Sequence, residues 1–462
     1  MMMNKHEIDY SLQQLLRIAG GSHSNFLLNN SGTSPVQFKY MDQIEECIQN
    51  EKVIYIRLAD SDDWENILKN NLKPVSWTNT QKILPPQITL SISDDIPLLF
   101  MGNDIKPIEL IDKNTIVYNF DILSATFLML NRIEERKRNS LDRYKRFPAN
   151  KSIAYKHGFL KQPIIDEYAM ILRAWIQFLQ PAWRPEKRKP EILLTHDIDF
   201  VRTLPNYRKL IRKIIKSIKP EGVFQGIRKN LSLYREEKSN LEQSKYVQNI
   251  HQIIQLSKNH SLRSIFFFKA SRMTFFDSGY HINNPVIKNI FNKIKESNFS
   301  IGLHPGFYTY ANATKISKEK EKLERASGLE IINCRQHYLR FNVKKTWAVQ
   351  QNAGLKFDFT LGFAGQEGYR CGTCHHYHPY NFDLKKEMII TEIPLIVMDT
   401  TLFNYRHYSP EEAKDKIIAL VQKSMAVEGT FTLLWHNTSF GPKYKEWEDM
   451  YVALLKEFAI MQ

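Results

Sequence analysis

The stretch ILLTHDIDF, residues 192–200, sets Asp197 and Asp199 one residue apart, straight after an apolar run that reads as a buried strand. Side chains alternate faces along a strand, so the two carboxylates share a face and His196 points to the other. Like charges that close destabilise each other unless a cation lies beside them, and a divalent metal ion supplies that charge. One aspartate then ligates the ion. The other, held off it, acts as general base toward a water that the ion makes more acidic. Hydrolysis also needs a proton donor for the leaving group, and histidine suits proton transfer near neutral pH. His436, closing the run TFTLLWHN, shares a face with Thr432 and Leu434 by the same period-two count.

The elements that must position these groups are legible beyond residue 190. Apolar runs EILLTHD, SIFFFKA, FSIGLHP, LEIINCRQHY, KFDFTLG, MIITEIPLIVMD and TFTLLWHN alternate with helical stretches such as NPVIKNIFNKIKESN and EEAKDKIIALVQKSMAVE. Strands alternating with helices imply parallel βα units, and seven of them predict a closed or nearly closed (β/α) barrel. Active groups of such barrels lie at the C-terminal ends of strands. Four runs end there in polar residues: Asp197 and Asp199, His304, Arg335 and His337, and His436.

Ahead of the barrel, YSLQQLLRIA reads as a helix, KVIYIRL, QITLSI, IPLLFM and TIVYNF as short strands, and DILSATFLMLNRIEER and IDEYAMILRAWIQFL as helices. These predict a smaller α/β or α+β N-terminal domain, residues 1–185, that carries no catalytic motif. The acidic run Asp60–Asp63 within it reads as a solvated loop. QPAWRPEKRKPE, with its prolines and charges, reads as the connector to a catalytic domain over 190–462.

At 462 residues, 43% hydrophobic and 24% charged, the chain has the profile of a soluble globular protein with more than one domain. A net charge of +15 favours anionic neighbours, yet no nucleic-acid-binding signature accompanies it, so nucleic acid is not expected as a partner. Four cysteines are too few for a disulfide framework. With no apolar stretch of secretory or membrane-spanning length, a cytoplasmic location is expected. The basic stretch 202–230 reads as a solvated helix packed on the barrel. The alternative is a helix lying peripherally on the anionic inner membrane surface.

LLTHDIDF, SIFFFKA, IGLHPGFY, RQHYLRF and LLWHN, in this order, resemble the polysaccharide deacetylase superfamily, carbohydrate esterase family 4. The resemblance runs from about residue 190 to the C-terminus and is greatest to a bacterial subgroup with an extra N-terminal domain, often found in surface-polysaccharide synthesis. It implies a distorted (β/α) barrel in which Asp197 is the catalytic base, Asp199 a metal ligand, His304 the first histidine of the metal-binding H-x-x-x-H motif, Arg335 the residue orienting the base, and His436 the general acid. Tyr308 stands where the motif's second histidine belongs. Three replacements are open for the third ligand: His337, which shares a strand face with Arg335 and is favoured; His196; and one of His375, His376 or His378. Zinc is the first choice of ion.

Cys371 and Cys374 form a C-x-x-C, readable as a redox pair or as half of a structural zinc site. The reading preferred is that GFAGQEGYRCGTCHHYHPYNF is a long loop lining the substrate groove, with Tyr308, Arg370, His375, Tyr377 and Tyr380 as substrate contacts. Together these features predict a metal-dependent hydrolase removing an N-acetyl, less readily an O-acetyl, group from a sugar in a glycan or in a lipid- or nucleotide-linked glycan precursor. The alternatives are a non-catalytic barrel serving as glycan-binding or scaffolding subunit, and a hydrolase of another C–N bond.

Overall fold

The computed structural model describes residues 3–21, 36–41, 52–69, 75–101, 105–137, 140–202, 223–271, 273–277 and 279–462. Most of the basic stretch 202–230 falls outside them, as does Cys47; the stretch's last residues enter helix Val223–Ser239.

The N-terminal part is an α/β unit. Strands β1 (Gln37–Met41), β2 (Val53–Arg57), β5 (Ile108–Asp112) and β6 (Thr115–Tyr118) form a sheet in the order β1-β2-β6-β5, with β5 antiparallel and the others parallel. Strands β3 (Ser76–Asn79) and β4 (Asp95–Leu98) pair separately as an antiparallel ribbon. QITLSI is not a strand: the chain turns at Pro85–Gln87, where Gln87 has φ 66°, and runs irregularly to β4. Residues Ser61–Lys69 are helical, with Asp60 Oδ1 accepting from the Asp63 N–H at 2.8 Å, so the acidic run opens a helix rather than a loop. Helices Lys5–Ile18, Ile122–Leu130 and Ile164–Leu179 pack together. The first buries Ile8, Leu12, Leu15 and Leu16 at helical spacing.

Residues 180–190 carry no regular structure and lead into the second part. Here β7 (Glu191–Ile198), β8 (Ser264–Phe268), β9 (Ser300–Leu303), β10 (Asn333–Cys334) and β11 (Phe357–Asp358) are joined by β14 (Thr391–Glu392), β15 (Val397–Met398) and β16 (Thr430–Leu434). They make a curled eight-stranded parallel sheet in the order β14-β11-β10-β9-β8-β7-β16-β15, and β12 (Tyr380–Asn381) with β13 (Lys386–Glu387) forms a small hairpin beside it. All seven expected runs become strands. The count rises to eight because MIITEIPLIVMD divides at Pro394, which has no N–H to donate to a ladder. Ile393 still donates to Asp358 O and Ile396 to Thr432 O, so the residues between β14 and β15 link the two edges of the sheet.

Alternation sorts the strand residues into two sets. Ile192, Leu194, Phe266, Phe268, Ile301, Leu303, Phe431 and Leu433 face the helices and join one continuous core that also includes Leu15, Phe127 and Ile171 of the N-terminal unit. Leu193, Ile265, Phe267 and Phe359 fill the interior near the strand starts, and Leu339, Leu395, Met398 and Leu434 form a second interior cluster.

The loop after β11 clamps the two parts together. Asp166 accepts from the Cys374 N–H (2.8 Å) and the Thr373 hydroxyl (2.5 Å), Ile165 donates to Gly372 O, and Tyr377 donates to Leu130 O (2.8 Å). Burial pushes the Asp166 carboxyl up to about 7. Cys371 and Cys374 are buried free thiols, both raised by burial. Among the described residues no metal-binding cluster includes them.

Gly302 on β9 leaves room for the Phe267 ring, since a Cβ there would lie 2.5 Å from two ring carbons. Gly302→Ala is therefore expected to destabilise the fold by about 1–3 kcal/mol, read as a lower urea midpoint at unchanged slope. An unchanged midpoint would contradict this packing.

Candidate active site

The interior phase of each strand carries straight into the site. On β7, Leu193 and Thr195 are followed by Asp197 and Asp199; on β8, Ile265 and Phe267 by Lys269; on β9, Gly302 by His304. Arg335 and His337 follow Asn333 of β10, and His436 follows Leu434 of β16. These strands are parallel, so their polar ends gather at one mouth. Asp197, Asp199, His304, His337 and His436 line a single cleft of about 320 Å³ there, together with Arg146, Phe276, Tyr338 and Tyr405.

Asp199 is the hub of that cleft. Its Oδ1 lies 3.3 Å from His337 Nε2, 3.5 Å from His304 Nε2 and 3.5 Å from the Lys269 ammonium. Donor atoms bonded to one tetrahedral ion at 2.0–2.1 Å stand about 3.4 Å apart. The Asp199, His304 and His337 atoms, all within 4.8 Å of one another, thus fit a single divalent cation. The rings are also held for that task. His304 Nδ1 donates to Arg335 O at 2.6 Å and His337 Nδ1 to Asp277 Oδ1 at 2.7 Å, which turns both Nε2 lone pairs inward. Burial acts to raise the Asp199 carboxyl, but Lys269, His337 and His304 outweigh it and hold the group well below the usual carboxylate range.

Asp197 and His436 flank this set. Asp197, nearly buried, is held by Arg335, whose Nη1 lies 3.1 Å from its Oδ1; Arg335 Nε donates to Phe359 O and the guanidinium covers the Phe267 ring at 4.7 Å. His304 Nε2 is 3.6 Å from Asp197 Oδ2, so this carboxylate sits against the His304 ring. On the other side His436 Nε2 stands 3.9 Å from Asp199 Oδ2. Its Nδ1 donates to Asp399 Oδ1 at 2.6 Å, its backbone N–H donates to Asp399 Oδ2, and so does the Ser439 hydroxyl. Burial works against charge on His436, yet Asp399 beside it raises the imidazole to about 9.

His196 points away, as alternation requires: it is buried against the Phe266 ring, its Nδ1 faces Trp435 O at 2.9 Å, and burial lowers it to about 4. The five expected substrate contacts do not line this cleft. Tyr308 is half exposed and packs on Phe307 and Phe276. Arg370 pairs with Glu135 at 2.6 Å and lines a neighbouring cleft. His375 is buried against Val427 O and faces a cavity at the strand starts. Tyr377 and Tyr380 are buried in the clamp to the N-terminal unit, Tyr380 among Tyr10, Phe127 and Phe382. Backbone carbonyls take up the His375 ring nitrogen and the Tyr377 hydroxyl, so the His- and Tyr-rich part of the loop faces inward.

The structure adds Lys269, Asp277, Asp399 and Arg146 to the site. Lys269 and Asp399 follow strands β8 and β15, so the strand-end rule that singled out the histidines also applies to them. Asp277 lies on a loop and Arg146 comes from the N-terminal unit; no pattern in the sequence marks either.

Residues 6–181 match a family of unknown function, DUF7033. No curated protein matches the chain. Solved structures with similarity include a Mycobacterium smegmatis protein assigned by name to the polysaccharide deacetylases, at 13% identity over 61% of this chain and 87% of that chain, TM-score 0.40. A CE4 family pseudoenzyme from Bacillus anthracis, BA3943, is 13% identical over 61% of this chain and 66% of its own, TM-score 0.29. The peptidoglycan deacetylase PdaC from Bacillus subtilis is 14% identical over 60% and 86%, TM-score 0.23.

Two substitutions separate the supports of the ligand set in a zinc titration. Asp277→Asn is expected to weaken binding about 10–100-fold, as loss of a ligand's outer hydrogen bond does. Lys269→Met, which removes a cation in contact with Asp199, is expected to tighten it. Equal affinities for wild type and both variants would remove these residues from the account.

Proposed function

We propose that the chain is a metal-dependent hydrolase that removes an acetyl group, N-linked in the first instance, from a sugar of a glycan or glycan precursor. The observation that carries this reading is the order of groups across one cleft: Asp197 clamped by Arg335, the Asp199–His304–His337 set in the middle, and His436 backed by Asp399 on the far side. A zinc ion held by that set would polarise the acetyl carbonyl and acidify water. Asp197, its carboxylate oriented by Arg335, takes the proton from the attacking water. His436, already an imidazolium at neutral pH, delivers a proton to the departing amine, and Asp399 keeps its Nδ1 engaged so that Nε2–H faces the cleft. A lipid- or nucleotide-linked precursor of surface polysaccharide as substrate would place the protein in the cytoplasm or at the inner face of the membrane.

A second reading, a glycan-binding barrel without catalysis, draws on Lys269, which already sets one positive charge against Asp199, and on Tyr308 at the motif's second histidine position. Metal binding and acetate release by the purified protein distinguish the two.

Asp197→Asn is expected to lower the rate of acetate release from N-acetylated sugars by about 10²–10⁴-fold; a rate within a few-fold of wild type would exclude Asp197 as base. The pH profile tests the acid. A raised pKa keeps His436 protonated until pH climbs through about 9, so the alkaline limb of kcat is expected near 9. Asp399→Asn removes the chief cause of that elevation and is expected to move the limb down toward the ordinary histidine value of 6.5. An unmoved limb would assign the proton to another group.

A further inference from the structure

We infer that the N-terminal unit completes the substrate site with a second sugar-binding subsite, so that the substrate is an oligosaccharide chain with neutral units rather than a single sugar. The inference rests on the hydrolase reading only for the identity of the first subsite.

Beside the cleft that holds Asp197 and Asp199 lies another of about the same volume, about 320 Å³. Its walls come from both parts of the chain: Arg146, Phe147 and Tyr155 of the N-terminal unit, and Gly365, Gln366 and Tyr405 of the barrel. Arg146, Leu339 and Tyr405 line both clefts, so the two share a wall and lie side by side. That wall is fixed. Arg146 Nε donates to Asp142 Oδ2 at 2.8 Å, Nη1 to Tyr338 O at 3.1 Å and Nη2 to the Tyr405 hydroxyl at 3.3 Å. One guanidinium of the N-terminal unit thereby ties down the tyrosines at the mouth of the barrel. Each cleft sits near the lower end of the range for small-molecule sites, about 300–1,000 Å³, which suits one sugar unit apiece.

The chemistry of the second cleft selects the ligand. Tyr155 and Tyr405, both of which line it, are 42% and 44% exposed. Asn150 and Gln366 supply amides that can both donate and accept. Among the described residues lining it, the charged ones are Asp142, Arg146 and Arg370, and each is engaged: Arg146 with Asp142, and Arg370 with Glu135 at 2.6 Å. Aromatic rings with amide hydrogen-bonding groups and no uncompensated charge match the flat apolar face and hydroxyl rim of an uncharged pyranose. Among the described lining residues, a phosphate or uronate would find no unpaired cation.

The test is calorimetric titration of the full-length Asp197→Asn protein, which keeps the groove and slows turnover, with N-acetylglucosamine and its β-1,4-linked trimer. The trimer is expected to bind at least about tenfold more tightly than the monomer. Tyr155→Ala and, as a steric block at an exposed position, Asn150→Trp are each expected to erase that gain while leaving monomer affinity unchanged. Thermal unfolding reports whether a variant is folded. Equal affinity for monomer and trimer, no binding of the trimer at millimolar concentration, or loss of monomer and trimer affinity alike in folded Tyr155→Ala and Asn150→Trp would overturn the subsite. Because binding is read without turnover, the two readings fail separately. A chain-length dependence abolished by these substitutions in a protein that releases no acetate would retain the subsite and reject hydrolysis.

Discussion

A carboxylate at the mouth of a barrel, with little access to water, is stable only against positive charge, and Asp199 meets three nitrogens within 3.3–3.5 Å. The surrounding structure serves that contact. Parallel strands deliver Lys269, His304 and His337 to the same height. Arg335 O and Asp277 orient the two imidazoles, and Gly302 lets the Phe267 ring close the floor beneath them. Asp197 and His436 can then face each other across the same point, each with a buried partner of its own, Arg335 and Asp399.

The N-terminal unit is bound into this arrangement rather than appended to it. A continuous apolar core runs from the Lys5–Ile18 and Ile164–Leu179 helices into the barrel, and the loop from Tyr369 to Tyr380 is locked onto Leu130, Asn131, Leu160 and Asp166. The same unit reaches the mouth through Arg146. Buried hydrogen bonds of this kind leave unpaired polar groups when one side is removed, so the two parts form one cooperative body around the site.

Period two made the barrel side of the site legible. Counting alternate residues from the apolar runs put Asp197, Asp199, His304, Arg335, His337 and His436 on interior faces at strand ends, and all six meet there. The count failed where an element is defined by partners far along the chain. Tyr377 bonds to a carbonyl 247 residues away and Arg370 to a carboxylate 235 residues away, so the later part of the loop is interior, while Gly365, Gln366 and Arg370 border the second cleft. Asp277 was hidden for a similar reason, since only tertiary packing brings its loop against His337. Strands Gln37–Met41 and Ile108–Asp112 are five residues each, too short for a pattern to stand out, whereas QITLSI has the composition of a strand but follows Pro85 and Pro86 into a turn.

Zinc X-ray absorption spectroscopy on the loaded protein reaches the central claim most directly. One zinc per chain, with two imidazole nitrogens and carboxylate or water oxygens at about 2.0–2.2 Å and one imidazole lost in His337→Ala, is the result expected. A sulfur shell at about 2.3 Å, or a spectrum identical in wild type and His337→Ala, would contradict it.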